Sequence, residues 1–225
     1  MRRLLTRIVI AFALTTTVLG ISTNAFATQE IEWKHLLPKL PPLKDPLANF
    51  TQDQRFDVET IDWARKLKPA DKGLVENQQG IEDAKVYERQ FAKAGYNVDE
   101  LLNKYRRWIK AVAKRQERVN QNLNGTKIRM AGYLLPLEFS DQGVTDFLLV
   151  PYVGACIHVP PPPPNQIVFV RLAKKFRIAD LFTAVWLEGK LQTRASSKKL
   201  TFVDGSADIS IGYHIDGGTA EVYRE

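Results

Sequence analysis

The sequence predicts an α+β protein: an N-terminal helical extension followed by a small antiparallel β-domain, either an OB-like barrel or a sandwich. Two observations carry this. As far as Asn124-Gly125 the apolar residues recur at helical spacing, and beyond Gly125 they fall into short β-branched and aromatic runs separated by turn residues. No internal repeat is present.

Residues 1–27 have the composition of a signal peptide. Arg2, Arg3 and Arg7 form the charged region, Ile8 to Ile21 the apolar core, and Ala25-Phe26-Ala27 an A-x-A cleavage site. The apolar run is shorter than the roughly 20 residues that span a bilayer. The expected product is therefore an exported, periplasmic chain beginning near Thr28, with no transmembrane segment after cleavage. Residues 28–50 form a proline-studded arm (Pro38, Pro41, Pro42, Pro46) with Ile31, Trp33, Leu36 and Leu37 between, which predicts an extended segment pinned by apolar anchors, Trp33 packing on the main body.

Residues 51–124 read as helical. Thr51 and Gln54 have capping-box spacing, Phe56, Ile61, Ala64 and Leu67 follow at near-helical period, and Pro69 stops the helix. A second helix is predicted from about Asp71 to Ala94, with Gly95 as its stop. A third starts at the Asn97/Glu100 capping pair and carries Val98, Leu101, Tyr105, Trp108, Val112 and Val119 on one face. Its other face holds Lys104, Arg107, Lys110, Lys114, Arg115 and Arg118, which reads as the solvated side of a packed helix.

Residues 125–225 read as the β-domain. Seven short strands are predicted: 128–137, 144–150, 166–172, 185–192, 200–203, 209–215 and 220–223, with turns at Asp141-Gln142-Gly143, Ser196-Ser197 and Asp216-Gly217-Gly218. In 185–192 one face is Val, Leu, Gly, Leu and the other Trp, Glu, Lys, Gln, the period of a half-buried strand.

The formal charge of +7 comes partly from the leader, whose three arginines are unmatched by any acid. The remaining chain carries 29 basic against 25 acidic residues, a mild excess of +4. Such a balance, in an exported chain, gives no reason to expect nucleic acid as a partner. Cys156 is the sole cysteine, so no internal disulfide can form. A lone thiol in an oxidising compartment is expected to be buried, metal-bound or joined to another chain.

That cysteine opens the segment with the most distinctive chemistry, Gly154 to Gln166. Proline lacks a backbone donor and fixes φ, so Pro160 to Pro164 predict a polyproline-II strut outside any sheet ladder. In extended backbone, residues two apart face the same way, which lets the Cys156 thiol and the His158 imidazole converge while Ile157 and Val159 face the core. Thiolate with imidazole suits zinc or copper. Glu138, Asp141, Asp146 and His214 are candidate further ligands, Asn165 and Gln166 candidate supporting residues, and His35 a remote one. Two other readings stay open: a metal-free protein-interaction module, and a cysteine-dependent enzyme in which His158 activates Cys156. No catalytic residue is assigned. His214 alternates with the apolar Ile209, Ile211, Tyr213 and Ile215, which predicts an outward, exposed ring.

The stretch M-A-G-Y-L-L-P-L-E-F, followed by D-F-L-L-V-P-Y-V-G-A-C-I-H-V-P-P-P-P-P-N-Q-I-V-F-V, resembles a bacterial family catalogued as domain of unknown function 3299. V-W-L-E-G-K-L and the I-E-W-K-H-L-L-P arm extend the resemblance over most of the chain. Its distinctive positions here are Gly132, Pro136, Leu137, Pro151, Gly154, Cys156, His158, Pro160 to Pro163, Asn165 and Gln166; it fixes no histidine in the last strand. The resemblance implies an exported protein, often encoded near permease and ATPase components of ABC transporters, with some members in gene sets associated with zinc. An ABC-type permease or another envelope protein is the implied partner.

Overall fold

The computed structural model describes residues 27–137, 143–155, 161–178, 180, 182–202 and 205–224. In chain order these form β1 (Gln29–Glu30), α1 (Trp33–Leu36), α2 (Gln52–Lys66), α3 (Pro69–Lys72), α4 (Val75–Lys93), α5 (Val98–Gln116), β2 (Lys127–Pro136), β3 (Val144–Val150), β4 (Val168–Phe176), β5 (Thr183–Phe202) and β6 (Gly205–Val222). The protein is thus a helical region joined to a six-stranded sheet.

The arm is more ordered than its prolines predict. All four prolines follow Leu37, so residues 29–36 are free to pair and turn: β1 runs parallel to the start of β2, and α1 makes one helical turn in which the Glu32 amide donates to His35 Nδ1 at 2.9 Å. Trp33 docks as predicted, its indole N–H donating to the Ala131 carbonyl at 2.9 Å. Gly132 makes the seat, because a Cβ there would stand 2.8 Å from both the Trp33 ring and the Leu149 side chain.

In the helical region the Thr51/Gln54 capping box and the Asn97 cap on the Glu100 amide both form. Val58 and Ile61 of α2, Ala84 and Phe91 of α4, and Leu101, Leu102 and Tyr105 of α5 bury together with Leu47 of the arm. Phe56, expected on the inner face, is instead 63% exposed. The predicted second helix is two, broken at Gly73-Leu74, and the third ends at Gln116 rather than near Asn124. After the early exit Asn120 caps a 3-10 turn over Gln121–Leu123, and its own backbone N–H donates to the distant Tyr213 hydroxyl.

The sheet order is β1-β2-β3-β4-β6-β5, and β5 pairs again with β2. The expected antiparallel sheet is corrected to a mixed one, since β4–β6 and β1–β2 are parallel. Parity requires the first of these. Five strands whose pairings return to the start must reverse direction an even number of times, so one contact has to be parallel. Fewer strands form than expected because 185–192 and 200–203 merge into β5, and 209–215 and 220–223 into β6. Asp216-Gly217-Gly218, read as a turn, lies in a register shift, with Gly217 at φ +74, and Ser196-Ser197, also read as a turn, pair with Ile211 and Ser210 directly after the shift between Thr193 and Ser196. Val185, Leu187 and Leu191 turn inward as their period predicts.

One buried core gathers Met130, Leu134, Phe147, Val168, Val170, Val185, Leu187, Tyr213 and Ile215 with Ile31 and Leu36 of the arm; a second holds Leu135, Leu148, Val150, Ala155, Ile167, Phe169, Leu200, Ile209 and Ile211. Tyr213 fastens the arm to the sheet. Its hydroxyl donates to the Leu36 carbonyl at 2.5 Å and accepts from the Asn120 amide at 2.6 Å, and burial pushes its pKa up to about 12, so it stays a donor. Tyr213→Phe strands both groups and is expected to cost about 2 kcal/mol in urea unfolding. A loss below about 0.5 kcal/mol would mean that this hydroxyl bridge contributes nothing net.

Candidate functional site

The Gly154–Gln166 segment leaves the end of β3 and returns to β4. Gly154 turns the chain at φ +80, and Ala155 is fully buried among the second core's residues. Cys156, Ile157, His158, Val159 and Pro160 lie outside the described residues, as do Glu138 and Asp141. The chain is described again from Pro161. Pro162 is buried, and Pro163 has the polyproline-II angles φ −61, ψ 153. The predicted strut stops there: Pro164 opens a 3-10 turn with Asn165 and Gln166.

That turn is where three parts of the chain meet. Asn165, 2% exposed, donates through Nδ2 to the carbonyls of Arg118 at 3.0 Å and Arg115 at 3.3 Å, in the last turn of α5 and just beyond it. Its Oδ1 is buried with no partner among the described residues. Gln166 donates through Nε2 to the Trp33 carbonyl at 3.1 Å. On the far side, Gly212 of β6 lets the turn approach closely, since a Cβ there would stand 2.8 Å from the Pro164 carbonyl oxygen. Both supporting residues therefore tie the loop to the helical region and the arm.

His214 is corrected from exposed to buried, at 2% exposure. The register shift between Thr193 and Ser196 brings Arg194 and Ser196 of β5 onto its ring, and Phe169 packs against it at 5.2 Å. Arg194 Nη2 lies 2.8 Å from Nδ1, and Ser196 Oγ lies 2.8 Å from Nε2. A guanidinium can only donate, so Nδ1 accepts and the proton of the neutral ring sits on Nε2, which donates to Ser196. The pair has the spacing of a hydrolase serine and histidine but the opposite proton direction, so His214 cannot take the Ser196 proton. Both nitrogens are occupied, and the guanidinium beside Nδ1 opposes a metal cation there. Burial, then the charge of Arg194, holds the His214 pKa down at about 4.

Asp146 forms a double ion pair with Arg171, and His35 serves the α1 turn. Among the described residues no group of three or more His, Cys, Asp or Glu side chains is placed to hold a metal ion, and no helix is long and apolar enough to cross a membrane. Sequence reasoning missed the Arg194–His214–Ser196 cluster and the Tyr213 bridge. The basic Arg194 and the hydroxyl of Ser196, 18 to 20 residues before His214, hint at a hairpin partner only once the β5–β6 pairing is known.

Fold and site together define a mixed helix-and-sheet protein with a pinned proline loop. The family model described as a protein of unknown function, DUF3299, matches residues 33–221, and the chain belongs to that family. The crystal structure of a DUF3299 family protein from Pseudomonas aeruginosa PAO1 is 25% identical, with 88% of this chain and 98% of that chain covered and a TM-score of 0.48. No curated protein matches the chain.

Proposed function

We propose that the protein is an exported, periplasmic accessory protein that serves an ABC-type permease or another envelope component, and that its ligand site is the Gly154–Gln166 loop. In this reading residues 1–27 are the leader, 28–50 the arm, 51–124 the helical region and 125–225 an OB-like barrel. Cys156 and His158 hold a zinc or copper ion.

One observation carries the reading: buried contacts fix the loop on both flanks, Ala155 in the second core on one side and Asn165 and Gln166 on the other. A segment fixed at both ends pays less entropy when it orders around a ligand. Thiolate and imidazole two residues apart supply sulfur and nitrogen donors that suit zinc and copper. Glu138, solvent or the partner would complete the coordination; His214 is not counted, because both its ring nitrogens are engaged. The pairing order, with its parallel contact between β4 and β6, supports the OB-like reading.

Elemental analysis of protein prepared without chelators tests this. About one zinc or copper per chain is expected, lost in Cys156→Ser and His158→Ala and kept in His214→Gln. Protein that contains no metal and takes none up at micromolar concentration would sink the metal site. In that case, cross-linking to a permease that survives both substitutions would favour the metal-free interaction module. Fast alkylation of Cys156 near about pH 6 would favour the enzyme.

A further inference from the structure

We propose that the outward side of α5, with the arm laid beside it, is a docking surface for a bilayer carrying anionic phospholipid headgroups. Arg107, Lys110 and Lys114 recur at i, i+3 and i+7, so they line one side of α5 over about 10 Å, and Arg118 follows two residues past the helix end. All four are exposed, and among the described residues none forms an ion pair, whereas Lys104 and Arg106 of the same helix are held by Glu100 and Asp62. The acids of α5 and its caps, Asp99, Glu100 and Glu117, sit at its two ends.

A cationic helix side alone is an ordinary solvated face. The arm changes its character. Arg115 Nη2 donates to the Pro41 carbonyl at 2.6 Å and holds the arm against α5. Between them runs a groove of about 250 Å³ whose apolar wall is Leu40, Pro41, Leu43 and Ala111 and whose rim is Lys114, Arg115 and Arg118. Leu43 is 38% exposed there. Cations that can reach phosphates, directly flanking an open apolar trough, match the headgroup and acyl boundary of an anionic bilayer. An acidic peptide would satisfy the rim and leave the trough wet. The proposal does not depend on the Cys156/His158 reading.

Vesicle flotation of the full chain tests it, using phosphatidylcholine alone and phosphatidylcholine with about one-third phosphatidylglycerol. Binding is expected only to the anionic vesicles and is expected to be lost near 0.5 M salt, where the Debye length falls to about 4 Å. Each cation is worth about fivefold in partitioning, so the triple variant Lys110→Ala, Lys114→Ala, Arg118→Ala should bind roughly 100-fold more weakly. Lys110 and Lys114 are exposed helix positions where alanine is favourable, and Arg118 is exposed beyond the helix end, so the variant folds, which circular dichroism checks. Leu43→Ser should weaken binding while leaving its salt dependence. Residues 1–27 are the same in wild type and variants, so a difference between them belongs to this surface. Cys156→Ser and His158→Ala should bind vesicles like wild type, which separates this surface from the metal reading. Equal binding to both vesicle types, or a triple variant that binds like wild type, overturns the proposal. So does capture on immobilised polyglutamate without vesicle binding, which would assign the face to an acidic protein.

Discussion

Gly212→Val is expected to destabilise the protein by about 3 kcal/mol or more, and Gly212→Ala by about 2 kcal/mol. A Cβ at this position would lie 2.8 Å from the Pro164 carbonyl oxygen, 2.8 Å from Val119 Cγ1 and 3.3 Å from Asn165 Cα. The Val119 side chain can rotate away. The Pro164 oxygen belongs to the backbone of the turn that carries Asn165 and Gln166, so relieving the clash moves the turn and strains its hydrogen bonds to Arg118 and Trp33. The cost is thus overpacking plus loosened ties between the loop, α5 and the arm. Urea unfolding measures it. Gly73→Ala, where the nearest atom is at an ordinary 3.5 Å, is the control and should change stability by less than about 0.5 kcal/mol. A Gly212→Val protein that unfolds at the wild-type midpoint would refute the close approach.

The second large effect is acid sensitivity centred on His214. Its pKa falls from 6.5 to about 4 on folding, because the folded state buries the ring and sets Arg194 against it, with Lys198 adding to the effect and Asp216 opposing it. The unfolded chain therefore binds the proton more readily, and stability rises with pH across this interval. The contribution is complete above about pH 6.5, declines as the pH falls and is gone below about pH 4. At about 1.4 kcal/mol per pKa unit it amounts to about 3 kcal/mol, an upper figure because the carboxylates nearby titrate in the same range. His214→Gln should lose the part of the pH slope that belongs to the ring. The comparison is urea unfolding of wild type and variant at pH 7 and near pH 4.5; parallel slopes for the two proteins would exclude His214 as the source.

Both effects come from long-range neighbours. What the local sequence encodes is the behaviour of each segment alone. Thr51 with Gln54 and Asn97 with Glu100 cap their helices as their spacing requires, because capping needs only residues three apart. Val185, Leu187 and Leu191 turn inward because alternation is a property of extended backbone. Trp33 is anchored because a large indole gains by burial once its N–H has a partner, here the Ala131 carbonyl.

The candidate site was legible as a place. A lone thiol, an imidazole two residues on and a run of prolines are visible in one dimension, and the tertiary structure added what holds that segment: Ala155 in the second core, Asn165 on the end of α5 and Gln166 on the arm. The partners of Asn165 and Gln166 are 47 to 133 residues distant in sequence, so no local pattern could name them. The groove beside α5 has the same origin. Periodicity identifies the basic side of the helix, but only the folded arm lays Leu40, Pro41 and Leu43 next to it.

By itself, then, the sequence determined the order of helices and strands, most of their inward faces, the leader-like start and the position of the thiol and imidazole. The tertiary structure decided the mixed sheet, the merging of short runs into β5 and β6, the burial of His214 and the fastening of the arm by Tyr213. The reason is physical. Periodicity specifies which side of a segment shuns water, whereas closure of the pairing series, bulges that redirect side chains and the pairing of buried polar groups depend on which distant segments come together.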